Sequence, residues 1–262
     1  ALLCAVGCEE QGDDNVNPND KPNTEQPEEK PEEKPEDGSG DTEKPEDQTP
    51  DDNPSISDTP LADIPCAANE ILYTTKYDLP IELGNTQGFG GNLVYNTYEN
   101  GVGRLTFGND VTAIPASGFK NCNSIENIKL PDGLTSVGYH AFYGCASLKE
   151  LFIPDSVNSI GTQALAYCTG LQKIYMSSNI TSWGWSIFEG CTQDLYYAGY
   201  MPNFQLSESG LFYGSKFESV EFASDIVYIG KYAFYGCSNL KYIVIPDSLT
   251  SVEPHAFDGC TS

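Results

Sequence analysis

The chain has 262 residues, 38 Asp or Glu against 13 Lys or Arg, and a formal net charge of −25. Acidity of that degree argues against nucleic-acid binding, which needs clustered Lys and Arg, and there is no basic amphipathic segment for a membrane surface. No run of 18 or more apolar residues occurs, so no transmembrane helix is expected.

Ala1 to Cys8 is a short apolar run ending in small residues before a cysteine, and reads as the tail of a signal peptide. It resembles a bacterial lipobox, with Ala5, Val6 and Gly7 preceding Cys8 as the lipid-bearing residue. The alternative is an apolar scrap with two incidental cysteines, Cys4 and Cys8. Residues 1–65 hold 20 acids and 4 lysines and almost no aromatic or β-branched content, too little apolar surface to offset chain entropy. Residues 9–65 are therefore predicted to be a disordered acidic linker. Its core is the near-repeat Pro27-Glu28-Glu29-Lys30, Pro31-Glu32-Glu33-Lys34, Pro35-Glu36-Asp37. Proline favours extended polyproline geometry and like charges stiffen it, which suits a spacer.

From residue 119 onward a unit of about 23 residues recurs. Its lead residues are Phe119, Phe142, Leu165, Phe188, Phe212, Phe234 and Phe257, in steps of 23, 23, 23, 24, 22 and 23. Each lead is followed three positions on by Cys122, Cys145, Cys168, Cys191, Ser215, Cys237 or Cys260. A fixed period in this range marks a solenoid whose coils bury their apolar faces only by stacking. Within a unit, Leu151 and Ile153 alternate around Phe152 as in a half-buried strand, and Pro154-Asp155 starts a turn. Gly161 is expected to supply a positive φ at a sharp corner, and the Ala-Phe or Ala-Leu pair to form a short helical turn. The repeat cysteines are predicted to be free, buried thiols in one ladder. They show neither paired CxxC nor Cys/His zinc spacing, so neither metal nor cofactor is expected.

The pattern L-x-x-I-x-I-P-D-S-x-T-S-I-G-x-x-A-F-x-x-C resembles the BspA-like leucine-rich repeats of bacterial surface proteins, over residues 105–262. The resemblance implies a leucine-rich-repeat solenoid with parallel β-strands, mostly β with short helical turns. Residues 66–104 resemble the capping segment before such arrays, with Leu105-Thr106-Phe107 as the first coil strand. The array is expected to continue past Ser262, since an uncapped coil exposes its apolar edge. The family likeness implies a bacterial cell-surface protein engaged in adhesion to host matrix or microbial surface proteins; the lipobox-like run at Cys8 adds a lipid anchor, at the cell surface or outer membrane, and exposed aromatics suit glycans as well. The likeness implies binding rather than catalysis. A glycan-binding accessory lipoprotein of a nutrient-uptake system and a non-binding coat protein are the alternatives.

Aligning the strands places one outward row at Thr106, Lys129, Phe152, Tyr175, Tyr196, Glu221 and Val244. A second row precedes it: Asn127, Glu150, Lys173, Asp194, Ser219 and Tyr242. Phe152, Tyr175 and Tyr196, with Glu150, Lys173 and Asp194 beside them, form the candidate binding patch, because exposed aromatics on a rigid sheet give large contact area at low entropy cost. Cross-strand stacking that only stabilises the sheet is the competing reading. His140 and His255 share a slot that varies freely and so looks solvent-facing, and their separation is too great for a shared proton relay. Trp183 and Trp185 are expected to divide into one buried and one exposed indole. Register is uncertain over 191–222, where the unit is irregular.

Overall fold

Every coil contributes one strand to a main sheet, one two-residue strand to a second ladder, and a tight corner that carries the lead residue. The computed structural model describes residues 60–84, 86–199, 201–202 and 210–262. The signal-peptide remnant, Cys8 and all but the last six residues of the acidic linker lie outside the described residues. The strands are β1 (Glu70–Thr75), β2 (Leu93–Glu99), β3 (Val102–Phe107), β4 (Ala113–Ile114), β5 (Ile125–Lys129), β6 (Ser136–Val137), β7 (Glu150–Phe152) and β8 (Ser159–Ile160). They continue as β9 (Lys173–Met176), β10 (Ser182–Trp183), β11 (Leu195–Gly199), β12 (Ser219–Phe222), β13 (Tyr228–Ile229), β14 (Tyr242–Val244) and β15 (Ser251–Val252).

The main sheet runs β14-β12-β11-β9-β7-β5-β1-β3-β2. From β5 to β14 its pairs are parallel, as a solenoid requires. The short strands form parallel ladders of their own, β4-β6-β8-β10 and β13-β15. Between them lies one apolar core that includes Leu151, Ile174, Val220 and the lead residues Phe119 to Phe234, all at 5% exposure or less. The lead rings stack face to face where they are neighbours: Phe119 on Phe142 at 5.3 Å and 3°, Phe212 on Phe234 at 4.5 Å and 15°. Such ring pairs contribute about 0.5–1.5 kcal/mol beyond the area they bury. Leu165 interrupts the file between Phe142 and Phe188.

Two expectations at the N-terminal end need correction. Leu105 to Phe107 belong to β3, which runs antiparallel to both β1 and β2, so the first parallel coil strand is β5. The antiparallel trio covers the edge of the sheet, with β1 antiparallel to β5 as the junction. Tyr73 packs over Gly103, its register partner, where a Cβ would lie 2.1 Å from the ring; the Tyr73 hydroxyl donates to Asn96 Oδ1 at 2.7 Å. The second correction concerns residues 60–65, grouped with the linker by composition. Leu61–Asp63 form a 3-10 turn, and the Lys129 ammonium donates to the carbonyls of Ala62 at 2.6 Å and Ile64 at 2.7 Å.

The corner is not helical. Its backbone N–H groups alternate between bonds within the coil and bonds to the next coil. Ala141 N–H donates to Gly138 O, Phe142 N–H to Ala164 O, Tyr143 N–H to His140 O, Gly144 N–H to Ala166 O and Cys145 N–H to Phe142 O, at 2.8–3.2 Å. This pattern requires left-handed backbone two residues before the lead, as at His140, Gln163, Ser186, Tyr232 and His255. It requires it again two residues after the lead, at Asn121, Gly144, Tyr167, Gly190, Gly214, Gly236 and Gly259. A helical turn would direct all these donors along its own chain and leave nothing to join adjacent coils.

Gly161 is not one of the positive-φ residues. Its N–H donates to Val137 O at 2.7 Å, and a Cβ there would lie 2.4 Å from Tyr139 N. Gly138 and Gly184 repeat the situation, at 2.7 Å from Ala116 N and 2.0 Å from Thr162 N. Glycine is required at this slot by close approach of the preceding coil.

The cysteines form the expected file. Sγ of Cys145, Cys168, Cys191, Cys237 and Cys260 donates to the carbonyl of the lead residue one coil earlier, at 3.0–3.2 Å. All five are free thiols. Cys122, at the first rung, departs from the expectation: its sulfur is in a disulfide. Ser215 holds the one oxygen rung, 3.6 Å from Cys237 Sγ. Burial pushes Cys145, Cys191 and Cys237 up to about 12 and holds Cys168 well above the ordinary thiol value.

Gly161→Ala should lower unfolding stability by about 1–3 kcal/mol, as overpacking does. Gly133→Ala, where a Cβ would meet nothing within 4 Å, should be neutral or slightly stabilising in the same urea titration. Equal effects at the two sites would contradict the close-approach account. The thiol file predicts an alkaline limit. The protonated thiols are favoured by the folded state, so their contribution is intact below the unfolded thiol value of about 8.5 and is lost as pH rises towards about 12. Each such thiol should steepen the fall by up to about 1.4 kcal/mol per pH unit. Urea unfolding of the wild type beside a Cys145→Ser/Cys191→Ser variant, followed between about pH 8 and 11, should show the flatter curve in the variant. Parallel curves would refute it.

Candidate functional site

The outward face of the main sheet carries the candidate patch, and strand alternation decides which side chains reach it. In β7 the pattern is exposed, buried, exposed, so Leu151 enters the core while Glu150 and Phe152 face out. Phe152 is 57% exposed; Tyr175 and Tyr196 are half-buried. Their ring centroids follow at 6.0 Å and 6.0 Å, tilted by 38° and 54°. The three rings are thus one contiguous aromatic strip.

The strip is diagonal, which corrects the expected straight row. Phe152 pairs with Tyr175 and Tyr175 with Ala198, while Tyr196 stands opposite Lys173. One file therefore runs Asn127, Glu150, Lys173, Tyr196, Glu221, Val244. The expected row joins two files offset by two residues. Alternation cannot detect such a slip, because a shift of two keeps every side chain on its own face. Counting from the cysteine would have found it: Leu151, Ile174 and Tyr197 each lie six residues after their coil's cysteine and pair in register. Tyr175 and Tyr196 meet as diagonal neighbours, within reach for aromatic side chains.

The polar members of the patch have separate roles. Glu150 and Lys173 are register partners, both exposed, and they make no ion pair with each other. Asp194 lies at the far end, where its Oδ1 accepts the Ser219 N–H at 3.1 Å, joining β11 to the coil that follows. It acts on the backbone rather than beside the rings.

A cavity of about 630 Å³ opens beside Phe152. Its walls are the 3-10 segment at Pro60, Leu61 and Ala62, the outward residues of β5 with Leu130 and Asp132 after it, Thr74 of β1, and Glu150 and Phe152 of β7. Asn127 Nδ2 donates to Thr74 Oγ1 at 3.0 Å across the β1–β5 junction. Pro60 to Ala62 and Thr74 carry no periodic signal, and Asp132 reads in sequence only as the Pro-Asp turn of its coil, so none was identifiable as a site residue. Only the antiparallel cap and the Lys129 anchor bring them to the sheet face.

The opposite corner also departs from expectation. His140 is half-buried and stacked on Tyr139 at 3.6 Å, and its Nε2 lies 2.7 Å from Gln163 Oε1. Gln163 Nε2 donates to Glu189 Oε2 at 2.6 Å, and Tyr167 OH donates to Glu189 Oε1 at 3.3 Å. The slot that seemed free in sequence is constrained by left-handed backbone and by coil-to-coil hydrogen bonds. His255 is exposed and bonds Asp258 at 2.8 Å. Trp183 packs against the core and donates Nε1–H to Ile180 O at 3.1 Å, whereas Trp185 is 54% exposed, the expected division. Among the described residues no group of three or more His, Cys, Asp or Glu is arranged to hold a metal ion, and no helix is long and apolar enough to cross a membrane.

Several solved structures show likeness to the chain. A leucine-rich repeat protein of T. pallidum is 22% identical, with 59% of this chain and 72% of that one covered, at a TM-score of 0.39. A leucine rich cell surface protein of Faecalibacterium prausnitzii A2-165 is 22% identical, with 58% and 55% covered, at 0.30. A leucine-rich repeat protein of Bacteroides ovatus ATCC 8483 is 21% identical, with 60% and 45% covered, at 0.33. The chain thus spans about half the length of the latter two. No curated protein matches. The family model described as "BspA type Leucine rich repeat region" matches six copies over residues 95–206 and 205–262. With its stacked parallel strands and thiol file in that same span, the chain belongs to the BspA-type leucine-rich repeat family.

Proposed function

We propose that this protein binds a macromolecular partner, a protein, through the outward face of its main sheet, and does so at a bacterial cell surface. The observation that carries the reading is the strip Phe152–Tyr175–Tyr196 running up to a cavity of about 630 Å³. Rigid aromatic side chains beside a concavity suit the anchors of protein interfaces, because little side-chain entropy is lost on binding. Adhesion to host matrix or microbial surface proteins is the form of binding proposed, with Cys8 as a lipid-bearing anchor and the acidic segment as a spacer. The same strip would also take a sugar ring stacked on Phe152, which makes glycan binding the second reading.

An array of matrix proteins, microbial surface proteins and glycans tests both. Wild-type protein should bind at least one member, and the Phe152→Ala/Tyr175→Ala/Tyr196→Ala variant should bind it at least about tenfold more weakly. Since Phe152 is exposed, circular dichroism should show the fold retained. Equal binding by both proteins would remove the strip as the site. Detergent-phase partitioning of the protein expressed in a bacterial host, lost in Cys8→Ser, tests the anchor separately.

A further inference from the structure

The cavity beside Phe152 is one-sided in its hydrogen-bonding chemistry. Among the described residues Lys129 is the one cation lining it, and two of its three ammonium N–H groups donate to the carbonyls of Ala62 and Ile64. One N–H of the Asn127 amide donates to Thr74 Oγ1, and its Oδ1 remains an acceptor. Asp132 and Glu150 line the same space, and neither takes part in an ion pair among the described residues. The Phe152 ring closes one side. Two carboxylates, the Asn127 Oδ1 and an aromatic face are on offer, and the lining cation already spends two of its three donors on carbonyls.

A ligand complementary to that lining must be rich in donors, positively charged and flat enough to lie on a ring. A guanidinium has five N–H donors in one plane, pairs with carboxylates through two parallel bonds and stacks on aromatic faces. Ammonium lacks the plane, and a neutral polyol has no charge for the carboxylates. Residues 66–262 hold 18 acids against 9 bases, a net of −9 that would draw a basic partner towards this domain from a distance. The geometry points to an arginine pocket: an arginine side chain of the partner protein enters the cavity, stacks on Phe152 and bonds Glu150 and Asp132. This rests on the reading of the sheet face as a protein-binding surface and specifies its anchor. The competing cation is Lys173, which stands opposite Glu150 in register, outside the cavity lining.

The test uses the full chain and three probes followed by NMR titration: Nα-acetyl-arginine amide, Nα-acetyl-citrulline amide and N-acetylglucosamine. The arginine probe should saturate in the low millimolar range, with shifts concentrated at Asn127, Lys129, Glu150 and Phe152. Citrulline, the neutral isostere, should bind at least about tenfold more weakly. Glu150→Gln and Phe152→Ala should each weaken the arginine probe by about threefold or more. Lys173→Gln should strengthen it, a gain that a misfolded variant could not produce. Citrulline or the sugar binding as well as arginine, or shifts scattered over the acidic surface, would overturn the proposal. So would affinity unchanged in both Glu150→Gln and Asp132→Asn. Failure here with the array pattern intact removes the arginine pocket alone. Array binding unaffected by the triple alanine variant, with the arginine probe still saturating, removes the aromatic strip alone.

Discussion

Coil-to-coil hydrogen bonding at the corners is the constraint on which the rest of the structure depends. Half of the corner N–H groups leave their own coil for the next one, so successive coils are held at backbone spacing on every side. Equivalent residues must then superpose, and each slot in the repeat acquires one physical requirement. The slot at Gly138, Gly161 and Gly184 has no room for a Cβ. The lead slot takes a flat ring that can stack on its neighbour. The cysteine slot takes a small group able to donate to the lead carbonyl of the coil before it, and serine at 215 fills the slot with its Oγ 3.6 Å from Cys237 Sγ on the next rung. Tight spacing also accounts for the left-handed residues, since only that backbone turns alternate donors outward along the solenoid axis.

That same constraint separates the chemistry of the interior from the chemistry of the surface. The free thiols of Cys145, Cys191 and Cys237, raised to about 12 by burial, carry almost no thiolate at neutral pH. Their work is structural: each sulfur satisfies a carbonyl that a wider side chain would block. The side chains that the stacking does not use are, on the sheet, the outward residues between the buried ones. The aromatic strip stands on a backbone whose spacing is set by the corner hydrogen bonds.

The cavity arises where two kinds of structure meet. A purely parallel array would present a flat file at β5. Here β1 runs antiparallel beside it and the 3-10 turn at Leu61–Asp63 folds over the face, held by Lys129. The ammonium that reads in sequence as one more outward charge is a structural anchor. It spends two of its donors on the turn's carbonyls, so a residue that builds the wall also helps set the polarity of the space it encloses.

Periodicity carries the repeat because each coil meets the same neighbour in the same way, and a constraint repeated every 23 residues is written into the chain seven times. The solenoid, its parallel strands, the buried thiol file and the outward placement of Phe152, Tyr175 and Tyr196 were legible for that reason. What occurs once leaves no such record. The direction of β3, the docking of residues 60–65 and the cavity between them follow from pairings between segments far apart in the chain. The diagonal of the aromatic strip comes from a two-residue register shift at β11 that alternation cannot register. The backbone at Gly161 and His140 was misread because a slot's residue type shows that a requirement exists, while only the neighbouring coil shows whether it concerns φ or space.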